Sequence, residues 1–265
     1  EKLIKLDNVD VLLSNQAAPL VVPACIVAEK YKKFMQSTVC FPFMWSHNKF
    51  KWSSLMFFKA SMASEIPFKI WETLPENERP KRPALIVEDT PDGEGFGGGF
   101  KQFAKQYGYK FVVSEPMAVG AKDYGSQILK LKFKKADAVF LFGSPSDSVT
   151  FVRQMKEQGV KVKYLHGWKG TWTNEFYNAL GKDGNGILCD GFWSEDLPFP
   201  GAKELGRRYY EKFNKYSVST GIFYATAQIL LKAIERAGMK ATRNSIRGGT
   251  DGSRLSFMVE FFALR

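Results

Sequence analysis

Short apolar runs of strand length alternate with amphipathic helical stripes along most of this chain, and that alternation restricts its fold more than any other feature. Residues 9–13 (VDVLL) form an apolar run closed by Ser14, Asn15 and Gln16, and Pro19 suits the first turn of a helix reaching about Tyr31. The unit recurs as a strand at 33–39, and again as a strand at 84–87. A glycine-rich turn and the helical stripe Phe96, Phe100, Ala104 and Tyr107 follow the second strand, with Gly108 as the stop. Next come a strand at 111–113, Tyr124, Ile128 and Leu131 at helical spacing, and a strand at 138–142. A helix carrying Val149, Val152 and Met155 ends at Gly159, before a strand at 162–165, a short helix at 174–180 and a strand at 186–190. Helices at 203–213 and 222–237 close the pattern, with Gly238 as the last stop. Parallel strands need a crossover, so strict βα alternation implies parallel sheets with helices on both faces. In such sheets ligands sit at the carboxyl ends of the strands. Function is therefore expected in the loops at 14–18, 38–45, 89–95, 143–148 and 166–172.

A chain of 265 residues is long enough for a single core to divide, and two lobes are expected. Lys and Arg total 38 against 27 Asp and Glu, a net charge of +11 that raises nucleic acid or an anionic membrane as partners. The lysines argue otherwise. Lys130, Lys132, Lys134, Lys135, Lys161 and Lys163 are interleaved with the apolar residues of ordinary amphipathic elements, and neither an RGG segment nor zinc-ligand spacing accompanies them. They read as a solvated surface, with no nucleic-acid partner. Cys25, Cys40 and Cys189 are odd in number and lack C-x-x-C spacing, so neither a disulfide framework nor a structural zinc is supported. With His47 and His166 the only histidines, no metal site is expected. No run of about 18 apolar residues suggests a membrane span. Residues 1–10 do not read as a signal peptide, which is compatible with a processed or truncated exported protein.

Gly93-Glu94-Gly95-Phe96-Gly97-Gly98 matches G-x-G-x-x-G between a strand and a helix. Residues 88–92 separate it from the strand, and Asp92 and Glu94 would face a pyrophosphate with negative charge, so it reads as a loop capping a helix. A dinucleotide-dependent enzyme is the rival that would need this loop. Neither a G-x-S-x-G elbow, an H-E-x-x-H motif nor a Walker sequence is present. A lone His166 at a strand end reads as a structural residue, and the sequence-adjacent pairs Glu88–Asp89 and Glu195–Asp196 diverge on an extended chain. No catalytic residue or cofactor is assigned. Trp45, Trp168, Trp172 and Trp193 all fall in or just after the expected strand-end loops, which suggests an aromatic-lined small-molecule pocket.

The order of segments resembles the periplasmic substrate-binding proteins of the branched-chain amino acid (Leu/Ile/Val) ABC transporter type. The resembling stretches are VDVLLSNQAAPLVVPACIVAEKYKK, ALIVEDTPDGEGFGGGFKQFAKQYGYK, ADAVFLFGSPSDSVTFVRQMKEQGVKVKYLHG, ALGKDGNGILCDGFWSEDLPFPGAKEL and FYATAQILLKAIERAG. The resemblance implies an α/β chain with two Rossmann-like lobes, parallel sheets and an interlobe cleft, the type I periplasmic-binding-protein fold. Lobe I would be residues 1–58 with 219–265, lobe II residues 59–218, and the hinge would lie near 57–59 and 217–221. Family members begin with a βαβ unit ahead of the 9–13 strand, so lobe I is expected to be truncated at its N-terminal side. The segment after Arg247 does not resemble the family's closing strands.

By the same resemblance, ligand-contact positions fall on Gln16, Ala17 and Ala18 in the first loop and on Thr38, Val39 and Cys40 in the second, with Asp92, Ser144, Asp147, Trp168 and Lys169 from lobe II. A frequent family serine is replaced by Ala17, and the loop that supplies an acid for a ligand ammonium reads His166-Gly167-Trp168-Lys169, without one. Asp92 or Asp147 would then serve an amino acid by relocation; otherwise Lys169 and the tryptophans suit a small organic acid. The implied function is binding without turnover, of an amino acid or related carboxylate in a periplasmic or extracytoplasmic location, for delivery to an ABC permease. A ligand-sensing domain of a regulator or receptor is the other use of the same fold.

Overall fold

The computed structural model describes residues 1–14 and 17–237, so Gln16 and the segment after Ala237 lie outside the described residues. The chain falls into two compact units, Glu1–Lys59 with the chain from Thr220 onward, and Ala60–Ser219.

In the first unit, α1 (Lys2–Lys5) precedes β1 (Val11–Ser14), α2 (Ala18–Lys30), β2 (Phe34–Thr38), α3 (Pro42–Ser46) and β3 (Ser53–Met56). The strands form a parallel sheet in the order β1-β2-β3. All five residues of β2 are buried although three are polar, which is tolerable because each has a partner. Gln36 Oε1 accepts from Ser54 Oγ at 2.6 Å, Ser37 Oγ lies 3.4 Å from Cys25 Sγ, and Thr38 Oγ1 donates to Met56 O at 2.5 Å. One part of the core packs Val21, Cys25 and Ala28 of α2 with Met35. The other packs Phe34 against Leu230 and Ala233.

The second unit contains α4 (Ala60–Glu72), β4 (Pro83–Glu88), α5 (Pro91–Gln106), β5 (Val113–Met117), α6 (Gly125–Phe133), β6 (Ala138–Gly143), α7 (Pro145–Glu157), β7 (Tyr164–Lys169), α8 (Asn174–Leu180), β8 (Leu188–Cys189) and α9 (Ala202–Phe213). Helix α10 (Thr220–Ala237) then returns to the first unit. The sheet is parallel throughout, in the order β5-β4-β6-β7-β8. Pro116 is tolerated because β5 is an edge strand.

Strand β6 lies inside this sheet and is buried at all six positions. Its odd-numbered Val139 and Leu141 pack in an aliphatic core with Ile128 and Leu131 of α6 and Val152 and Met155 of α7. Its even-numbered Phe140 and Phe142 face an aromatic layer instead. Phe140 stacks on Trp71 at 5.1 Å and meets Phe68 edge-on at 5.3 Å, and Phe142 stacks on Phe96 at 4.5 Å.

Three expectations are corrected. The glycine run is not a turn: α5 begins at Pro91, with Thr90 as an N-cap whose hydroxyl accepts from Gly93 N at 3.1 Å. A Cβ at Gly93 would lie 2.0 Å from the backbone oxygen of Glu88, so this glycine permits helix and strand to meet closely. Without a glycine turn, the dinucleotide rival loses its structural basis. The strand expected at 162–165 is β7, shifted to Tyr164–Lys169 because His166 pairs with Phe140 and Trp168 with Phe142. The strand expected at 111–113 likewise moves to Val113–Met117, in register with Ala84 to Glu88.

Two measurements follow from this packing. Gly93→Ala should destabilise the protein by about 1–3 kcal/mol through overpacking against β4. Gly98→Ala, with nothing within 4 Å of its added Cβ, should stabilise it by about 0.5–1 kcal/mol through helix propensity. Chemical denaturation of the pair distinguishes the two signs.

The second measurement concerns His166, which is 1% exposed and accepts from Trp71 Nε1 at 3.1 Å through Nε2. Burial lowers its pKa from 6.5 to about 4. As pH falls through that window the unfolded chain takes up a proton that the folded chain refuses, so stability is lost by about 3 kcal/mol. Burial raises Asp190 to about 6, which acts with the opposite sign: that contribution is present below 3.8 and lost as pH rises. Comparison with His166→Phe isolates the histidine. The wild type should lose about 3 kcal/mol more than the variant between pH 7 and pH 4, and equal losses would contradict the buried neutral imidazole.

Candidate functional site

In the second unit, charged side chains close strands that are otherwise apolar. Glu88 ends β4 and is 1% exposed. Its Oε1 accepts from Thr90 Oγ1 at 2.7 Å and pairs with the ammonium of Lys169, the last residue of β7. The Lys169 ammonium also lies 5.8 Å from the centre of the Phe142 ring, a cation–π contact that helps hold it across the end of β6. Asp92 stands in the first turn of α5, where burial raises its pKa, Lys169 opposes that rise and Glu88 reinforces it. Glu88 Oε2 and Asp92 Oδ1 are buried without hydrogen-bond partners among the described residues. Lys169 thus pairs with Glu88 and acts on Asp92 only through its charge, and each carboxylate retains an acceptor that a donating group would satisfy.

Backbone strain marks the same strand ends. Lys169 has φ 56° and leads into Gly170, where a Cβ would lie 2.5 Å from Ser144 O and 2.7 Å from Gly143 O. In the first unit Val39, directly after β2, has φ 55°. A β-branched residue in the left-handed region is an outlier costing of the order of 1–3 kcal/mol, and such strain clusters at binding sites. Beside Val39, Thr38 is fully buried, and Cys40 is buried with its thiol directed to Phe41 O at 3.8 Å. Ala17 is the N-cap of α2 and Ala18 its buried first residue.

Two expected contact residues serve their own unit instead. Asp147 is 2% exposed; its Oδ1 accepts from Gly120 N at 3.0 Å and its Oδ2 from Ser144 Oγ at 2.7 Å. Both oxygens are occupied, so it braces the α7 N-terminus, where Ser144 is the N-cap. Trp168 lies inside β7, fully buried, 4.6 Å from Phe100 and 5.6 Å from Phe140. It is core packing, not the wall of a strand-end loop. Trp45 lies in α3, and Trp172 meets Phe192 edge-on at 5.0 Å while donating to Asp190 O. Glu88 is inconspicuous in the sequence because its neighbour Asp89 diverges from it on an extended chain. The overlooked signal was an acidic residue closing the apolar run Ala84–Leu85–Ile86–Val87. Val39 falls on a contact position of the family resemblance, but its left-handed backbone has no local sequence signal, since such strain arises from the surroundings. Among the described residues, no group of three or more His, Cys, Asp or Glu side chains is placed to hold a metal, and no helix is long and apolar enough to cross a membrane.

Leu/Ile/Val-binding protein homolog 2 of Brucella abortus (strain 2308) is 28% identical over 163 residues, 62% of this chain and 43% of the relative. Leu/Ile/Val-binding protein homolog 1 of Brucella suis biovar 1 is 29% identical over 155 residues, 58% of this chain and 41% of the relative. The chain thus matches less than half the length of these curated relatives. Among solved structures, the leucine binding protein LivK of Thermotoga maritima MSB8 has a TM-score of 0.79 at 20% identity, covering 94% of this chain and 70% of its own. LivJ of Streptococcus pneumoniae, in complex with isoleucine, has a TM-score of 0.80 at 18% identity, covering 94% and 69%. A solute-binding protein of R. palustris in complex with 4-hydroxybenzoate has a TM-score of 0.77 at 18% identity, covering 94% and 68%. These structures establish the fold as that of the type I periplasmic binding proteins, while their ligands remain properties of those proteins. A family model described as periplasmic binding protein matches residues 1–256, and the chain belongs to the periplasmic binding protein family.

Proposed function

We propose that the chain captures a small amino acid, or a related carboxylate bearing a hydrogen-bond donor, between its two units and delivers it to an ABC permease outside the cytoplasm. The observation that carries this reading is the Glu88–Lys169–Asp92 cluster, with its two buried, unpartnered carboxylate oxygens. Acceptors without partners favour a ligand that donates, and an α-ammonium gives strong charge-assisted bonds to carboxylates. A ligand offering only a carboxylate would have to compete with Glu88 for Lys169 and would leave both oxygens unsatisfied.

In the same reading the lobes are residues 1–58 with 219–265 and residues 59–218, with the hinge near 57–59 and 217–221. The ligand contacts in this reading come from Ala17, Ala18, Thr38 and Cys40 of the first lobe and from Asp92, Ser144 and Lys169 of the second, with Gln16 outside the described residues. The N-terminus of α2 suits a ligand carboxylate, because the backbone N–H groups of a helix's first turn have no intrahelical acceptors. Closure would be stabilised only by the ligand's contacts with both sides. Binding without turnover agrees with the relatives, which are named as binding proteins.

Calorimetric titration with branched-chain and aromatic amino acids, and with 4-hydroxybenzoate, tests the proposal. An amino acid should bind saturably, and Asp92→Asn should weaken it about 10- to 100-fold, the equivalent of one charge-assisted hydrogen bond. Affinity for 4-hydroxybenzoate should change little in the same variant. Binding of benzoates alone, undiminished by Asp92→Asn, would overturn the assignment of an ammonium-bearing ligand.

A further inference from the structure

At the amino-terminal ends of the strands in the second unit lies a groove of about 620 Å³, lined by Pro80, Lys81, Arg82, Lys134 and residues 108–112. It is at the opposite end of the sheet from the Glu88–Lys169 pair, because Pro83 and Ala138 begin the strands that Glu88 and Gly143 end. Four of its residues are cationic, namely Lys81, Arg82, Lys110 and Lys134, and all four are exposed. The adjoining acid, Asp137, does not neutralise them by ion pairing. Its two oxygens each accept at 2.8 Å from backbone N–H groups, those of Lys81 and Arg82. Arg82 is aimed by its own bonds: Nε and Nη2 both donate to Lys134 O, at 2.8 and 2.6 Å, leaving Nη1 for an outside acceptor.

Beside the groove, at the end of α6, Phe133 is 82% exposed and its ring lies 5.8 Å from the Lys134 ammonium. Leu129, one helical turn earlier on the same face, is 59% exposed. An apolar pair rimmed by lysines and set next to a cationic groove combines the two attractions of a peripheral lipid-binding surface, apolar insertion and charge. A soluble phosphate would use the groove but gives Phe133 and Leu129 nothing to enter. We infer that this face binds an anionic phospholipid surface, the groove taking headgroup phosphates while Phe133 and Leu129 enter the acyl boundary.

The test is co-sedimentation of the full chain with phosphatidylcholine vesicles, with or without phosphatidylglycerol. Binding should require phosphatidylglycerol, weaken with added salt, and fall at least about tenfold in the double variant Lys81→Glu, Lys110→Glu. Phe133→Ser should weaken binding several-fold while leaving its salt dependence intact, which a purely ionic contact would not show. These side chains are exposed, so the variants should keep the wild-type circular dichroism and melting temperature. Equal binding to both vesicle types, or binding unchanged in the variants, overturns the inference. Saturable binding of glycerol 3-phosphate by a chain that ignores phosphatidylglycerol vesicles also overturns it, in favour of a soluble phosphate.

Discussion

The larger unit depends on the need to cover both faces of β6. A strand buried at all six positions must present an apolar side chain to each side in turn, and Val139 and Leu141 alternate with Phe140 and Phe142 to do so. Each side chain buried in this way contributes of the order of 2 kcal/mol. The ring contacts on the aromatic face add about 0.5–1.5 kcal/mol for each well-oriented pair. The register that aligns Phe140 with His166 and Phe142 with Trp168 extends this layer onto β7. Trp71 closes it by donating to His166. The aromatic layer therefore sets where β7 ends, and with it where Lys169 emerges.

That end point decides the chemistry of the strand termini. Lys169 leaves β7 with a left-handed backbone, and its side chain crosses the end of β6 to reach Glu88. A carboxylate as buried as Glu88 would be strongly destabilising if left alone, because removal from water penalises the charge by several kcal/mol. The pairing compensates one oxygen and leaves the other open. Asp92 is arranged in a similar way in the first turn of α5, where the helix dipole favours negative charge but burial opposes it. A scaffold that stabilises acids while leaving acceptors unfilled is suited to a ligand that donates.

Periodicity made much of the architecture legible. The strands at β1, β4 and β6 stand out because they are short apolar runs followed by helical stripes, and Pro19 at the start of α2 and stops such as Gly108 punctuate them. Strand β3 escaped notice because SSLM is half polar and only four residues long. Helix α4 escaped because Pro67 interrupts a segment whose preceding residues are rich in phenylalanine and tryptophan. The glycine run misled for a physical reason. Glycine marks a turn when the backbone needs a positive φ, but at Gly93 it marks a helix pressed against Glu88 O, and the local sequence of the two cases is alike.

The sequence by itself determined the parallel α/β class and the end of each sheet at which a solute site would form. Those properties follow from local period and from the crossover that parallel pairing requires. It also contained the resemblance to the binding-protein family. Only the tertiary structure decided which residues there are free to act. Asp147 and Trp168 proved to be committed to bracing and packing, whereas Glu88 proved to hold Lys169 and keep an oxygen open. Three lysines that are far apart in the chain, Lys81, Lys110 and Lys134, gather with Arg82 in one groove because residues 80–82, 108–112 and 134 approach the same end of the sheet. Such pairings join residues tens of positions apart, and a local pattern carries no information about which distant strand end will lie opposite.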